Sequence, residues 1–266
     1  MSKYRFAVGL YSVRNELSKD LTGTLNKVKE MGYEGVEFFG ALTYKAEDVT
    51  NALLQAGLTI VGWHTPWNAV QEDTLDETIA FFKAIGNKNV IIPGLPEHML
   101  ATKESCLETA RQFNEISEKL AVHGMRIGYH NHSSEMAFFK GTAECPFTVF
   151  FDETNSDVIV QMDNGNALSG GGPGLISLLK RYPNRYKTIH LKPYSLEKGA
   201  VNSQEGFETM IGEDDIPWME FMYICSKTGG TEWFIVEYES EKMYPELEGI
   251  DKSLQALSDM EKSGMI

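Results

Sequence analysis

Short runs of β-branched and aromatic residues alternate along the chain with amphipathic stretches. The runs at 6–11, 35–39, 59–64, 89–93, 126–131, 158–163, 188–192 and 233–237 predict strands. Between them apolar residues recur at helical spacing. Leu21, Leu25 and Val28 stand at i, i+4, i+7, as do Leu75, Ile79 and Phe82, and Ile250, Leu254 and Leu257. Leu175, Leu178, Leu179 and Tyr182 form a wider stripe, as do Trp218, Phe221, Met222 and Cys225. Gly32, Gly57 and Gly124 each follow such a pattern and precede a strand, the place of a helix-ending glycine. Strict alternation implies a parallel sheet. Eight units in 266 residues predict a closed (β/α)₈ barrel, one domain over residues 1–266, rather than an open doubly wound sheet.

Two irregular segments interrupt this rhythm. The glycine-rich run 169–174 has neither dinucleotide-binding nor P-loop spacing, although its amides are candidates for an anion. The stretch from Pro193 to Pro217 is long for a connection, and loops of that length are usually functional or disordered. Its acidic end, Glu213-Asp214-Asp215, reads as a helix start, with Asp215 near the N-cap and Pro217 in the first turn.

Composition narrows the choice of partner. Hydrophobic residues make up 42 % of the chain, enough to fill a core. No apolar run approaches the roughly 18 residues of a membrane span, and the first residues lack the apolar region of a signal peptide. The three cysteines, Cys106, Cys145 and Cys225, form no CxxC pair, which fits a reducing cytoplasm. A net charge of −14 argues against nucleic acid as the main partner. A small-molecule substrate is expected, and a homo-oligomer is compatible with the sequence.

In a barrel of this kind, polar residues at the C-terminal strand ends converge on one mouth. They include Glu37, His64, His130-Asn131-His132, Asp163, His190-Leu191-Lys192 and Glu237. Asp163, His190 and Glu237 each end a different apolar strand. Such nitrogen and oxygen donors suit a divalent cation: Mn²⁺, Mg²⁺, Co²⁺ or Zn²⁺. No cysteine joins them, which disfavours a structural zinc site. His130 and His132 share a face if the fifth strand continues that far. Glu135 either reaches back over the site or is solvated. Trp67 is a candidate surface for the apolar face of a sugar.

As a set these residues resemble the sugar phosphate isomerase/epimerase superfamily, the xylose-isomerase-like TIM barrels with tagatose/psicose epimerases and inosose dehydratases among them. The resemblance runs nearly end to end. It is strongest at GYEGVEFFG (32–40), YHNHSSE (129–135), QMDNGNA (161–167), IHLK (189–192), GEDDIPW (212–218) and FIVEYE (234–239). It implies a metal held by Asp163, His190 and Glu237 together with a fifth-strand residue, where the family's epimerases carry Glu. Here that place is His130, so the fourth ligand is either His130 or Glu135. The frequent HLKD of the seventh strand reads His190-Leu191-Lys192-Pro193, without the Asp. The multi-metal DNA-repair branch of the fold uses a fourth-strand His and another three residues after the sixth-strand Asp. Here 89–93 has no His and the second position is Asn166.

The implied function is a metal-dependent sugar or keto-sugar isomerase or epimerase working through an enediolate. Glu237, with His132 or Glu135, would be the acid/base pair. Glu37, His64, Trp67, Asn166 and Lys192 would contact substrate. The alternatives are a dehydratase or lyase on an inosose or 3-keto-glycoside, and a non-catalytic sugar- or metal-binding barrel.

Overall fold

The computed structural model describes residues 3–266, so Met1 and Ser2, which enter the signal-peptide reading, lie outside it. Eight strands appear where the apolar runs predict them: β1 (Phe6–Gly9), β2 (Gly35–Phe39), β3 (Thr59–His64), β4 (Asn89–Ile92), β5 (Arg126–His130), β6 (Ile159–Gln161), β7 (Thr188–Leu191) and β8 (Trp233–Val236). All ladders are parallel, in the spatial order β6-β5-β4-β3-β2-β1-β8-β7. The two ends of that order meet through one bridge, Asp163↔His190, with the His190 N–H donating to the Met162 carbonyl at 2.8 Å. The ring is therefore weakest between β6 and β7, at two of the residues singled out above.

The helices on the outside bury the predicted stripes. Helix α1 (Arg14–Lys19) leads into α2 (Leu21–Met31), and α3 (Ala46–Ala56), α4 (Leu75–Ile85) and α5 (Lys103–Ala121) follow. After β5 come α6 (Pro146–Glu153), α7 (Asn164–Gly170), α8 (Leu175–Arg181), α9 (Leu196–Val201), α10 (Trp218–Ile224) and α11 (Glu246–Lys262). Leu25, Val28, Ile79, Phe82, Leu178, Phe221, Ile250 and Leu257 all lie in the main core, between sheet and helices. Gly32 and Gly57 end α2 and α3 with positive φ, where any side chain would be strained. No helix among the described residues is long and apolar enough to cross a membrane.

Two local expectations are corrected, and a third is filled in. The first strand stops at Gly9 and the chain turns at once into a short 3-10 helix, Leu10–Val13. The segment 193–217 is partly ordered into α9 and a 3-10 turn, Glu205–Phe207. The start of α10 is organised by Asp214, not Asp215. The Asp214 carboxylate accepts from the Gly212 and Ile216 N–H groups and from the Trp218 indole, whereas Asp215 accepts from the Leu196 N–H. Pro217 sits at the N-cap, one residue earlier than expected.

Inside the barrel the layers differ in character. Ala7, Val61, Trp233 and Ile235 form a small apolar plug. In the polar layer the Glu37 carboxylate needs room, and a bulge supplies it. Val36 pairs with Ile60 but Glu37 pairs with Gly62, so Val61 is the extra residue. A Cβ on Gly62 would lie 2.6 Å from Glu37 Oε1. Overpacking of this kind typically costs about 1–3 kcal/mol. Gly62→Ala is expected to lower the thermal midpoint by several degrees, read by circular dichroism, whereas Leu54→Ala, at an exposed site, should stay within about 0.5 kcal/mol of the parent. Equal midpoints for Gly62→Ala and the parent would contradict this packing.

Candidate active site

Glu37 lies at the bottom of the site, 2 % exposed, and is surrounded by donors. Its Oε2 accepts from His190 Nε2 at 2.6 Å and faces His64 Nε2 at 3.0 Å. Its Oε1 accepts from Gln161 Nε2 at 2.7 Å. Burial pushes this carboxyl's pKa up, but His64 and His190 outweigh that and hold it well below the usual carboxylate range. Burial likewise opposes charge on His190, yet Glu37 and Glu237 together raise its pKa to about 10. His190 Nδ1 donates to Glu237 Oε2. The imidazole thus bridges two carboxylates, one below it and one at the mouth.

Gln161 assigns protons to the other rings. Its amide nitrogen donates to Glu37 and to Thr188 Oγ1 at 2.9 Å, so its oxygen is the acceptor for His64 Nε2 at 2.7 Å and His130 Nδ1 at 3.1 Å. His130 therefore carries its proton on Nδ1, leaving the Nε2 lone pair free. That nitrogen faces Asp163 Oδ2 at 3.9 Å. Burial first, then His190 and His64, holds the pKa of His130 well below its usual value, so it stays neutral.

Asp163 is held from several sides. Its Oδ1 caps α7 by accepting from the Asn166 N–H at 2.7 Å, and its backbone N–H donates to Asn131 Oδ1 at 2.9 Å. Its Oδ2 is fully buried and has no hydrogen-bond partner. Burial raises this carboxyl's pKa to about 7. An orphaned carboxylate oxygen opposite an imidazole lone pair is the arrangement a cation would complete. One donor atom each from His130, Asp163, His190 and Glu237 lies within 4.8 Å of all the others. A second group, His64, His130 and His190, meets the same distance criterion. That group, however, contains no carboxylate, whereas the four-residue set includes two, one of them with the partnerless Asp163 Oδ2, so the four-residue set fits a divalent ion better. Glu37 behind His190 and Gln161 behind His130 would then be the outer groups that orient the ligating rings.

Above this cluster opens a cavity of about 940 Å³, at the upper end of the roughly 300–1,000 Å³ usual for small-molecule sites. The buried part of its lining includes His130, Asn166, Lys192 and Glu237; His64 and His132 also border it. Lys192 Nζ lies 3.6 Å from Glu237 Oε1 and donates to Glu239. Burial opposes its charge, but Glu237, Asp163 and Glu239 keep the ammonium protonated, with a pKa above the usual lysine value. Burial would raise the Glu237 pKa, but Lys192 and His190 hold it well below the usual range, so Glu237 is ionised.

Three expected site residues lie elsewhere. Glu37 is beneath the cavity and positions histidines instead of lining the space. Glu135 does not reach over the site. A 3-10 turn, Ser134–Met136, folds it back to accept from the Tyr129 hydroxyl at 2.8 Å and the His132 N–H at 2.7 Å. It therefore braces the loop that carries His132 and stands outside the donor cluster. Trp67 begins another 3-10 turn, Trp67–Val70, which stacks its indole on Phe113 at 5.4 Å. The glycine-rich run is used for packing. A Cβ on Gly170 would meet the Ser133 carbonyl at 2.4 Å, and one on Gly172 the Met136 carbonyl at 2.2 Å.

The sequence reading gave no role to Gln161, although it stands two residues before Asp163 and thus on the same strand face. It also missed Tyr11, Phe207, Glu208 and Glu241, which border the cavity from loops. For Phe207 and Glu208 the length of the 193–217 connection was the available signal.

Comparison with known proteins agrees with this architecture. A family model described as "Xylose isomerase-like TIM barrel" matches residues 25–260. The chain is 27 % identical over 215 residues to an inosose dehydratase of Erwinia tasmaniensis, covering 70 % of this chain and 71 % of that protein. A solved sugar phosphate isomerase/epimerase from Parabacteroides distasonis superposes with a TM-score of 0.77 at 22 % identity, over 97 % of this chain and 94 % of that one. The IolI protein, solved with a zinc atom, gives a TM-score of 0.72 at 13 % identity, over 97 % and 98 % of the two chains.

Loss of an outer partner of a metal-ligating histidine typically weakens metal binding by about 10–100-fold. Gln161→Leu is expected to lower Zn²⁺ affinity by that factor, and Asp163→Asn by more, in competition with a chromophoric chelator. Parental affinity in Gln161→Leu would show that Gln161 does not set the His130 ring.

Proposed function

The chain belongs to the xylose isomerase-like TIM barrel family, and from that premise we propose that it is a divalent-metal-dependent isomerase or epimerase of a sugar or keto-sugar. The observation that carries the reading is the buried cluster of His130, Asp163, His190 and Glu237 at the floor of a cavity, with one aspartate oxygen left without a partner. A bound metal would supply Lewis-acid polarisation of a substrate carbonyl and its neighbouring hydroxyl.

The chain's own groups would do the rest. Glu237, ionised and bordering the cavity, takes the proton from the carbon next to the carbonyl, giving an enediolate. His190, anchored below by Glu37 through Nε2, turns its Nδ1 toward Glu237, so that both groups face the point where the ion would be held. Lys192 presents a positive charge toward oxygens that gain negative charge. His132 borders the cavity as well, and burial lowers its pKa, so it is neutral and able to accept or return a proton on another side. Asn166 is placed to bind a hydroxyl. The manganese-or-zinc question is one of loading; the two imidazoles and two carboxylates suit either ion. Three buried thiols, none in a disulfide, fit a cytoplasmic enzyme.

A dehydratase is the second reading, and one observation favours it. His130 stands where the resemblance places a second carboxylate, so only Glu237 remains as a metal-side base. One base is enough for proton removal followed by loss of a β-hydroxyl, with His132 or Lys192 near the leaving group. The inosose dehydratase relative points the same way.

Metal-loaded protein is expected to exchange the proton next to the carbonyl of a keto-sugar or inosose in D₂O. Glu237→Gln should slow exchange by about 10²–10⁴-fold. Mass spectrometry of the product separates the two readings, since only the dehydratase loses water. No exchange across a panel of ketohexoses, inososes and 3-keto-glucosides, with sugar binding retained, would replace the enzyme with a binding barrel.

A further inference from the structure

The cavity is larger than its catalytic floor, and the outer part of its lining has a composition of its own. Tyr11, 40 % exposed, meets Phe39 edge to face at 5.2 Å between ring centroids. The Arg14 guanidinium lies 4.7 Å from the Tyr11 ring and donates to the Tyr11 carbonyl at 3.0 Å, fixing the ring at the rim. Phe207 borders the same cavity from the 193–217 connection. It packs edge to face on Tyr194 at 4.8 Å. The wall behind it is closely fitted. The Ser195 N–H donates to the Gly206 carbonyl at 2.8 Å, Ser240 Oγ donates to the Phe207 carbonyl, and a Cβ on Gly206 would meet the Tyr194 ring at 2.3 Å. Phe39 and Phe207 are partly buried, and the Lys192 ammonium lies 5.0 Å from the Phe207 ring, so the rings are held in place where they border the cavity.

The charges at the rim are equally informative. Lys192 is bound to Glu237 and Glu239, Lys242 to Glu208, and Arg14 to Glu241. Each cation at the cavity border is thus neutralised by a carboxylate of the chain. The carboxylates among the lining residues, Glu208, Glu237, Glu239 and Glu241, outnumber the two lysines. A phosphate needs an uncompensated cation or a cradle of amides. The glycine-rich run 169–174 packs against 133–136 through Gly170 and Gly172 instead.

We infer that Tyr11, Phe39 and Phe207 form an outer subsite for a second ring, so that the preferred substrate is an uncharged keto-sugar carrying a glycosidic second ring, bound more tightly than a free or phosphorylated monosaccharide. The inference rests on the sugar-processing reading, in that the first ring occupies the floor near Glu237. An apolar ring face stacked on aromatic side chains contributes through burial and through its polarised C–H edges. The acidic rim leaves that contribution unopposed for a neutral ring and repels a phosphate.

Binding of unreactive sugars tests the subsite separately from the chemistry, which deuterium exchange tests. Dissociation constants of phenyl β-D-glucoside, methyl β-D-glucoside and D-glucose 6-phosphate would be measured by NMR titration of the metal-loaded protein. The phenyl glucoside is expected to bind about tenfold more tightly than the methyl glucoside, and the phosphate no more tightly than the methyl glucoside. Tyr11→Ala and Phe207→Ala should each reduce the phenyl-to-methyl ratio to about threefold, and the double variant should bring it near one. Tyr11→Phe, which keeps the ring, should retain the parental ratio. A parental ratio near one, a ratio unchanged in the double variant, or tighter binding of the phosphate would overturn the subsite. Each of these results could occur alongside normal deuterium exchange, and failed exchange could accompany the expected ratios.

Discussion

An ionised carboxylate inside a barrel is expensive unless it is surrounded by donors, and that constraint organises this molecule. Glu37 takes hydrogen bonds from His190 and Gln161 and faces the ring nitrogen of His64. The consequences reach in both directions. Below, Gly62 must lack a side chain and β3 must carry an extra residue, because the carboxylate occupies the space. Above, the orientation of three histidines and one glutamine follows from this buried carboxylate. The stability of the barrel interior and the order of the site are therefore the same network.

The network is placed where the barrel is least regular. Between β6 and β7 a single bridge, Asp163↔His190, replaces a ladder. Side chains fill the gap: Gln161 to Thr188, and Asn164 to the Lys192 N–H at 2.7 Å. A cation among the four donors would tie β5, β6, β7 and β8 together at this seam. Having His130 instead of a carboxylate on β5 makes the donor set carry two negative charges, which a divalent ion neutralises.

Much of this was legible in the sequence. Asp163, His190 and Glu237 stand out because each terminates an apolar strand, and strand ends in such a barrel share one mouth. The eight strands themselves are clear because parallel, doubly covered strands read as continuous apolar runs. What was not legible lies in local turns and in partnership. Glu135 and Trp67 leave the site because 3-10 turns redirect them, and strand periodicity does not extend through a turn. Glu37 reads as a substrate contact until its depth is known. Gln161 looks like any polar residue in a strand until its amide is seen between two histidines and a glutamate. Spacing can show which residues converge, but not which of them bears the proton.

The central claim is that the buried network prepares His130, Asp163, His190 and Glu237, and not the three histidines with His64, to hold one divalent ion. X-ray absorption of the Zn²⁺-loaded protein counts the imidazole ligands directly. The expected spectrum has two histidine nitrogens in the first shell, the rest of it oxygen, with the histidine count unchanged in His64→Ala and reduced by one in His130→Ala. Three histidine nitrogens in the parent, one of them lost in His64→Ala, would contradict the account.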